Sequence, residues 1–130
     1  MANNINIDSL SREIEKELKV YSSDIVEKID TSSKRIAKEA IKSLKANSPK
    51  KTGKYSKSWT QKKEKGDILQ PTSHTIYNKE GWLTHLLENG HAKVGGGRVV
   101  AKPHIRPAEQ QVIEKFTKEV EEAIKNAGTL

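Results

Sequence analysis

Four histidines, His74, His85, His91 and His104, are the residues of this 130-residue chain best suited to hold a metal or move a proton, and their spacing favours neither. None stands four residues from another on one helix, and no His-Glu-x-x-His run occurs. His85 and Glu88, three apart, offer two ligands where a structural zinc takes four, so they read as a contact on a helix surface. The chain has no cysteine, which excludes a disulfide framework, a thiolate metal cluster and a thiol nucleophile. A nucleophile elbow, a P-loop and paired acids in apolar surroundings are all missing from the sequence. Gly95-Gly96-Gly97 lacks the strand before it and the helix behind it that a phosphate-cradling turn requires. The expectation is a protein with no catalytic residue, no metal site and no cofactor.

Charge is the second chemical signal. The chain carries a formal +7, and the stretch from Lys34 to Lys65 holds twelve basic residues against Glu39 and Glu64, about +10 on its own; the remainder is net acidic by about three. Lys50, Lys51, Lys54, Lys57, Lys62 and Lys63 are the candidate contacts for a DNA phosphate channel or an acidic protein partner. The same lysines suit a solvated strand edge, where they oppose edge-to-edge pairing. Gly95, Gly96, Gly97 and Arg98 form a candidate docking loop, because three successive glycines have no side chain to pack and lose the most entropy on ordering. That predicts a loop from Ala92 to Lys102 that orders only against a partner, in a chain that is mostly monomeric when free.

The elements that must carry these residues follow from apolar spacing. Ile7, Leu10, Ile14, Leu18, Tyr21, Ile25, Ile29, Ile36, Ala40 and Leu44 recur at three or four residues with one double step, which predicts a helix over residues 8–46, either one bent helix or two in tandem. Asn47-Ser48-Pro49 stops it, since the residue before proline avoids the helical region. A continuous helix of that length would run about 58 Å, more than a domain of this size covers, so part of it is expected to meet a neighbour. Residues 54–102 read as a sheet of three or four strands with a short helix, Gly81 to Asn89, set into it. Lys65-Gly66-Asp67 is the expected hairpin turn, Pro71 marks an edge or a bulge, and Gly90 is the expected left-handed cap. Trp82, Leu86 and Leu87 are expected to anchor the short helix together with Val112 and Phe116. Ala108, Val112, Phe116, Val120, Ala123 and Ala127 give a C-terminal helix over 107–127, with Pro107 in its first turn. The fold class is α+β: a long N-terminal helix, a small antiparallel sheet with a short helix inserted, and a C-terminal helix, in one domain over 1–130. No stretch is apolar enough to span a membrane, and the first residues lack the pattern of a signal peptide, so synthesis in a cytoplasm is expected.

Three ordered segments then stand out: Ala46-Asn47-Ser48-Pro49-Lys50-Lys51-Thr52-Gly53-Lys54-Tyr55-Ser56-Lys57-Ser58-Trp59, Leu86-Leu87-Glu88-Asn89-Gly90-His91-Ala92, and Pro103-His104-Ile105-Arg106-Pro107-Ala108. In order and spacing they resemble the tail-completion, or head-tail joining, proteins of tailed bacteriophages and prophages, the gene-product-ten-like family. Tyr55 stands where that pattern usually has leucine. The resemblance runs from about residue 35 to the end, with Pro49, Gly53, Trp59, Glu88, Gly90, Pro103 and Pro107 as its structural positions. It implies a structural virion protein in the neck of the particle, at the head-proximal end of the tail. The resemblance further implies a ring, commonly of six copies, between a tail terminator or tube protein and the head connector, with DNA passing through unread and no membrane involved. The alternative that composition alone supports is a basic cytoplasmic nucleic-acid-binding protein.

Overall fold

The computed structural model describes residues 7–50 and 53–127. The apolar stripe of the N-terminal segment yields one uninterrupted helix, α1, Ile7–Asn47, about 61 Å long at 1.5 Å per residue. The double step at Thr31 to Ser33 does not break it: the Thr31 and Ser33 hydroxyls donate back to the carbonyls of Glu27 and Ile29, so polar side chains are accommodated within the helical ladder. At its C-terminal end the buried Ser48 hydroxyl donates to the Leu44 carbonyl and closes the last turn.

The next element corrects the expectation of a strand from residue 54. Gly53, at φ +80, turns the chain into a single helical turn, α2, Lys54–Lys57, and the Ser58 hydroxyl donates to the Lys54 carbonyl. The first strand, β1, Trp59–Glu64, pairs antiparallel with β2, Ser73–Asn78, with Trp59 opposite Asn78 and Lys63 opposite His74. Between them lies a loop of residues 65–72, not a tight turn at Lys65-Gly66-Asp67. The Asp67 carboxylate accepts from the amides of Leu69 and Gln70, and the Asp67 amide donates to the Gln70 carbonyl. Ile68 and Leu69 therefore sit exposed at a tip, and Pro71 lies in the loop and not within a strand.

Helix α3, Gly81–Asn89, follows as expected. Gly90 has φ +74, yet its ψ of 173 sends the chain straight on into β3, His91–Ala92, where a left-handed helical cap was expected. Strand β3 pairs with β4, Arg98–Val99, so the four strands form two separate two-stranded ladders and not one sheet. The last helix, α4, Ile105–Asn126, runs antiparallel to α1: the Tyr21 hydroxyl donates to the Ile124 carbonyl, Arg35 pairs with Glu119, and Lys115 lies 3.3 Å from Glu39.

Alanines let the two long helices approach closely. Ile36, Ala37, Ala40 and Leu44 of α1 are buried, as are Ala108 and Ala123 of α4. The core cluster of Leu44, Tyr55, Trp59 and Ala108 is flanked by half-buried Ile41, Ile76, Leu83, Leu87 and Ile105. Trp82 is absent from it. At 70% exposure this ring stands in solvent, its Nε1 donating to the Glu80 carboxylate, and Leu83 takes the anchoring position expected of it. Val112 and Phe116 of α4 line an open groove together with Ile29 and Ile36 of α1 and Ile76 of β2. The chain is poor in large apolar residues, so α3 is held mostly by one face of two leucines.

Candidate functional site

The three segments that stand out in the sequence meet at one place. From the first, the Trp59 indole N–H donates to Ser48 Oγ at 2.7 Å across the start of β1 and the end of α1. Tyr55, on α2, places its hydroxyl 2.7 Å from His104 Nε2, and the two rings meet edge to face at 5.5 Å between centroids. His104 Nδ1 lies 2.8 Å from the Lys102 carbonyl, which can only accept, so Nδ1–H donates there and Nε2 accepts from the tyrosine hydroxyl. Burial pushes the Tyr55 phenol above its usual range, and the Glu88 carboxylate adds to that rise against the opposing Thr84 hydroxyl. The Asn78 amide donates to the Tyr55 carbonyl, which ties β2 to the same spot.

Glu88 joins the second segment to the third. Its Oε1 accepts from the backbone amides of His104 and Ile105 at 2.8 and 2.9 Å, and its Oε2 from Arg106 at 3.0 Å. A side chain at the end of α3 thus supplies the N-terminal cap of α4, where orphan amides and the positive end of the helix dipole favour a carboxylate. Burial alone would raise the Glu88 pKa, but the three amides outweigh it and hold the carboxyl below its usual value. This replaces the expected His85–Glu88 surface pair. The signal was present in the sequence as two short segments at fixed separation, but nothing in either says that the acid of one serves the backbone of the other.

The remaining motif positions serve this junction. Pro49 follows Ser48 directly, Pro103 precedes His104, and Pro107 falls in the first turn of α4. Gly90 passes so close to β4 that a Cβ there would lie 2.5 Å from the Val99 carbonyl oxygen. Ser48, Tyr55, Trp59, Asn78, Glu88 and His104 form a polar knot with partners for its buried groups. Among the described residues no group of three His, Cys, Asp or Glu could hold a metal ion.

The basic candidates do not gather at one point. Lys51 lies outside the described residues. Lys54 reaches Glu80 at 3.1 Å, and Lys50 and Lys57 are exposed on the turn between α1 and β1. Lys62 and Lys63, adjacent on β1, point to opposite faces of the ladder, Lys63 toward α1 beside Lys34 and His74. Burial and then Lys63 hold the His74 pKa down. Gly95, Gly96 and Gly97 all have positive φ and carry the turn between β3 and β4, next to Arg98, which reaches back to the Asn89 carbonyl.

A scan against protein-family models matches residues 12–90 to the family described as "Bacteriophage HK97-gp10, putative tail-component". The chain belongs to the HK97-gp10-like family. Searches of curated proteins and of solved structures returned no match. The HK97-gp10-like region takes in α1 from Arg12, the first motif segment, both strands of the first ladder, α3 and the second segment as far as Gly90, where it ends. The third segment and α4 lie outside it, yet they are bound to the HK97-gp10-like region through Glu88 and Tyr55. No helix among the described residues is long and apolar enough to cross a membrane.

Proposed function

We propose that this chain is a structural virion protein that completes the head-proximal end of a phage tail and joins it to the head connector. Membership of the HK97-gp10-like tail-component family carries the reading. In this reading the chain forms a ring, of six copies as the resemblance implies, with a tail terminator or tube protein on one side and the connector on the other. DNA passes through it without being read. The role is non-catalytic in this reading, as suits a tail-component family.

Two physical features support assembly. The first fourteen residues of α1 lie beyond the end of α4 and are exposed throughout, a surface that a solitary domain gains nothing by displaying. The glycine hairpin presents Val94 fully to solvent in its turn and leaves Val100 exposed at its root, an apolar edge suited to contact with a neighbour. The exposed lysines Lys50, Lys57 and Lys62 then serve DNA passage or an acidic neighbour by charge, without base recognition.

Removal of the gene from its phage or prophage tests the reading. The expected lysate holds filled heads and free tails that fail to join, and supplying the chain restores whole particles. Normal numbers of tailed particles without it would overturn the proposal. The nucleic-acid-binding alternative is read from the purified chain: a true binder with several phosphate contacts loses orders of magnitude in DNA affinity between low and moderate salt.

A further inference from the structure

The N-terminal third of α1 carries an apolar stripe that has no partner among the described residues, with a distinctive charge pattern. Ile7, Leu10, Ile14 and Leu18 continue the stripe that packs against α4 farther along the same helix, but α4 ends opposite Tyr21 and leaves these four exposed by 46–78%. At 100° per residue, Glu13 and Glu17 border the stripe on one side and Glu15 on the other, while Arg12, Lys16 and Lys19 fall on the reverse face. An occupant must therefore be apolar at its centre and basic at its rim.

The chain itself carries such a surface. Residues 91–107 contain Lys93, Arg98, Lys102 and Arg106 and no acid. Within that segment Val94, in the β3–β4 turn, is fully exposed, and Val100, just past β4 at the root of the hairpin, is as exposed as Ile7, the barest residue of the stripe. The hairpin's root is fixed, with the Lys93 amide donating to the Gly97 carbonyl, the Lys102 amide to the Leu87 carbonyl, and Gly90 packed against Val99, so the tip is offered at a defined place. Three other exposed apolar sites fit less well. A second α1 stripe would bring glutamates against glutamates, the outer side of α4 at Ile113 and Ile124 is lined by Glu114 and Glu121, and the Ile68–Leu69 tip has mixed charge beside it, with Lys65 between Glu64 and Asp67.

We propose that the β3–β4 hairpin of one copy docks on the N-terminal stripe of α1 of the next, Val94 and Val100 against Leu10, Ile14 and Leu18, with Lys93 and Arg98 facing Glu13 and Glu17. The proposal deepens the ring reading and rests on self-assembly of this chain. Two different patches meet, so the contact is heterologous and propagates from copy to copy until it closes. Four aliphatic side chains and a hairpin tip fall short of the roughly 800 Å² per partner of a stable pair, so each contact is weak alone and gains from closure.

Sedimentation velocity of the full chain over a concentration series reaching about 1 mM, high enough for a contact of this size, tests the pairing. The wild-type chain shows mass rising with concentration. Glu13→Lys with Glu17→Lys makes both patches basic, and Lys93→Glu with Arg98→Glu makes both acidic, so each double variant stays monomeric. An equimolar mixture restores association, because each variant's stripe then matches the other's hairpin. Val94→Ser, at a fully exposed residue, weakens association at least tenfold with unchanged melting temperature. A wild-type chain that remains monomeric, variants that associate like wild type, or a mixture that fails to recover overturns the contact. Particle counts keep the two readings apart: double variants that each yield normal tailed particles reject this contact and leave the tail role standing, whereas normal particles without any chain reject the tail role itself.

Discussion

Glu88 and Ile105 are seventeen residues apart in sequence, and the Glu88 carboxylate accepts the Ile105 amide at 2.9 Å as one of three backbone amides it holds at the start of α4. One acidic side chain thereby sets where the last helix begins and which way it leaves the core. Glu88→Ala is expected to cost about 2–3 kcal/mol, more than a typical cap, because three amides near the core lose a charged acceptor together. Urea denaturation checks it, and a loss below about 0.5 kcal/mol would show that water replaces the carboxylate freely.

The same carboxylate makes stability depend on pH in a definite direction. Its folded pKa lies below the usual 4.5, so the charged form stabilises the fold above that value, and the contribution fades as pH falls below 4.5 through the folded value. Glu88→Gln should flatten this acid limb. An unchanged slope in the variant would move the effect to Glu39 or Glu80, whose pKa values are also lowered.

The two tryptophans report on different surroundings. Trp59 is 5% exposed and bonded to Ser48, while Trp82 is 70% exposed. Trp82→Phe should leave a blue-shifted emission resistant to iodide, and Trp59→Phe a red-shifted, fully quenchable one. Loss of the indole hydrogen bond should also cost about 1 kcal/mol in Trp59→Phe. Equal quenching of both rings would contradict the placement of α3.

Glycine substitutions separate close approach from backbone strain. Gly90→Ala sets a Cβ against the Val99 carbonyl at a positive φ and should cost about 2 kcal/mol or more. At Gly95 a Cβ meets nothing within 4 Å, and the φ of +89 alone should cost about 1 kcal/mol. Thermal melts of the two variants give the comparison, and equal losses would mean that β4 yields at Gly90.

Phe116 is half-buried and lines a groove shared with Ile29, Ile36 and Ile76, where α4 lies along α1. Phe116→Ala should destabilise by about 3 kcal/mol, near the low end for a phenylalanine because part of the ring already meets solvent. A change under about 1 kcal/mol in denaturant would place the ring outside the core.

Much of this fold was legible because helices of this length announce themselves by period. The stripes ending at Leu44 and at Ala127 predicted α1 and α4 to within two residues of their observed ends. Short elements carry no period to count. The single turn at Lys54 to Lys57 is set by the left-handed Gly53, and the tip at Ile68–Leu69 by an aspartate that caps its own loop. Trp82 was misplaced because apolarity marks a residue as fit for burial without saying which face of a nine-residue helix finds cover. His104, weighed for metals alone, proved to be a core hydrogen-bonding residue, and no local pattern names a tyrosine 49 positions away as its partner.

That α1 is unbroken has a mechanical meaning. A helix is stiff along its axis, so the exposed end at Leu10 and the buried end at Ser48 belong to a single strut. A sideways push on the exposed end is taken up where the α4 contacts begin, at Tyr21, and those contacts continue past Arg35 and Glu39, so the first turns form a cantilever clamped in the helix pair. Seating a neighbour on the first three turns would therefore bear on the α1–α4 seam at Tyr21, roughly 16 Å along the axis from Leu10, without any loop having to change shape.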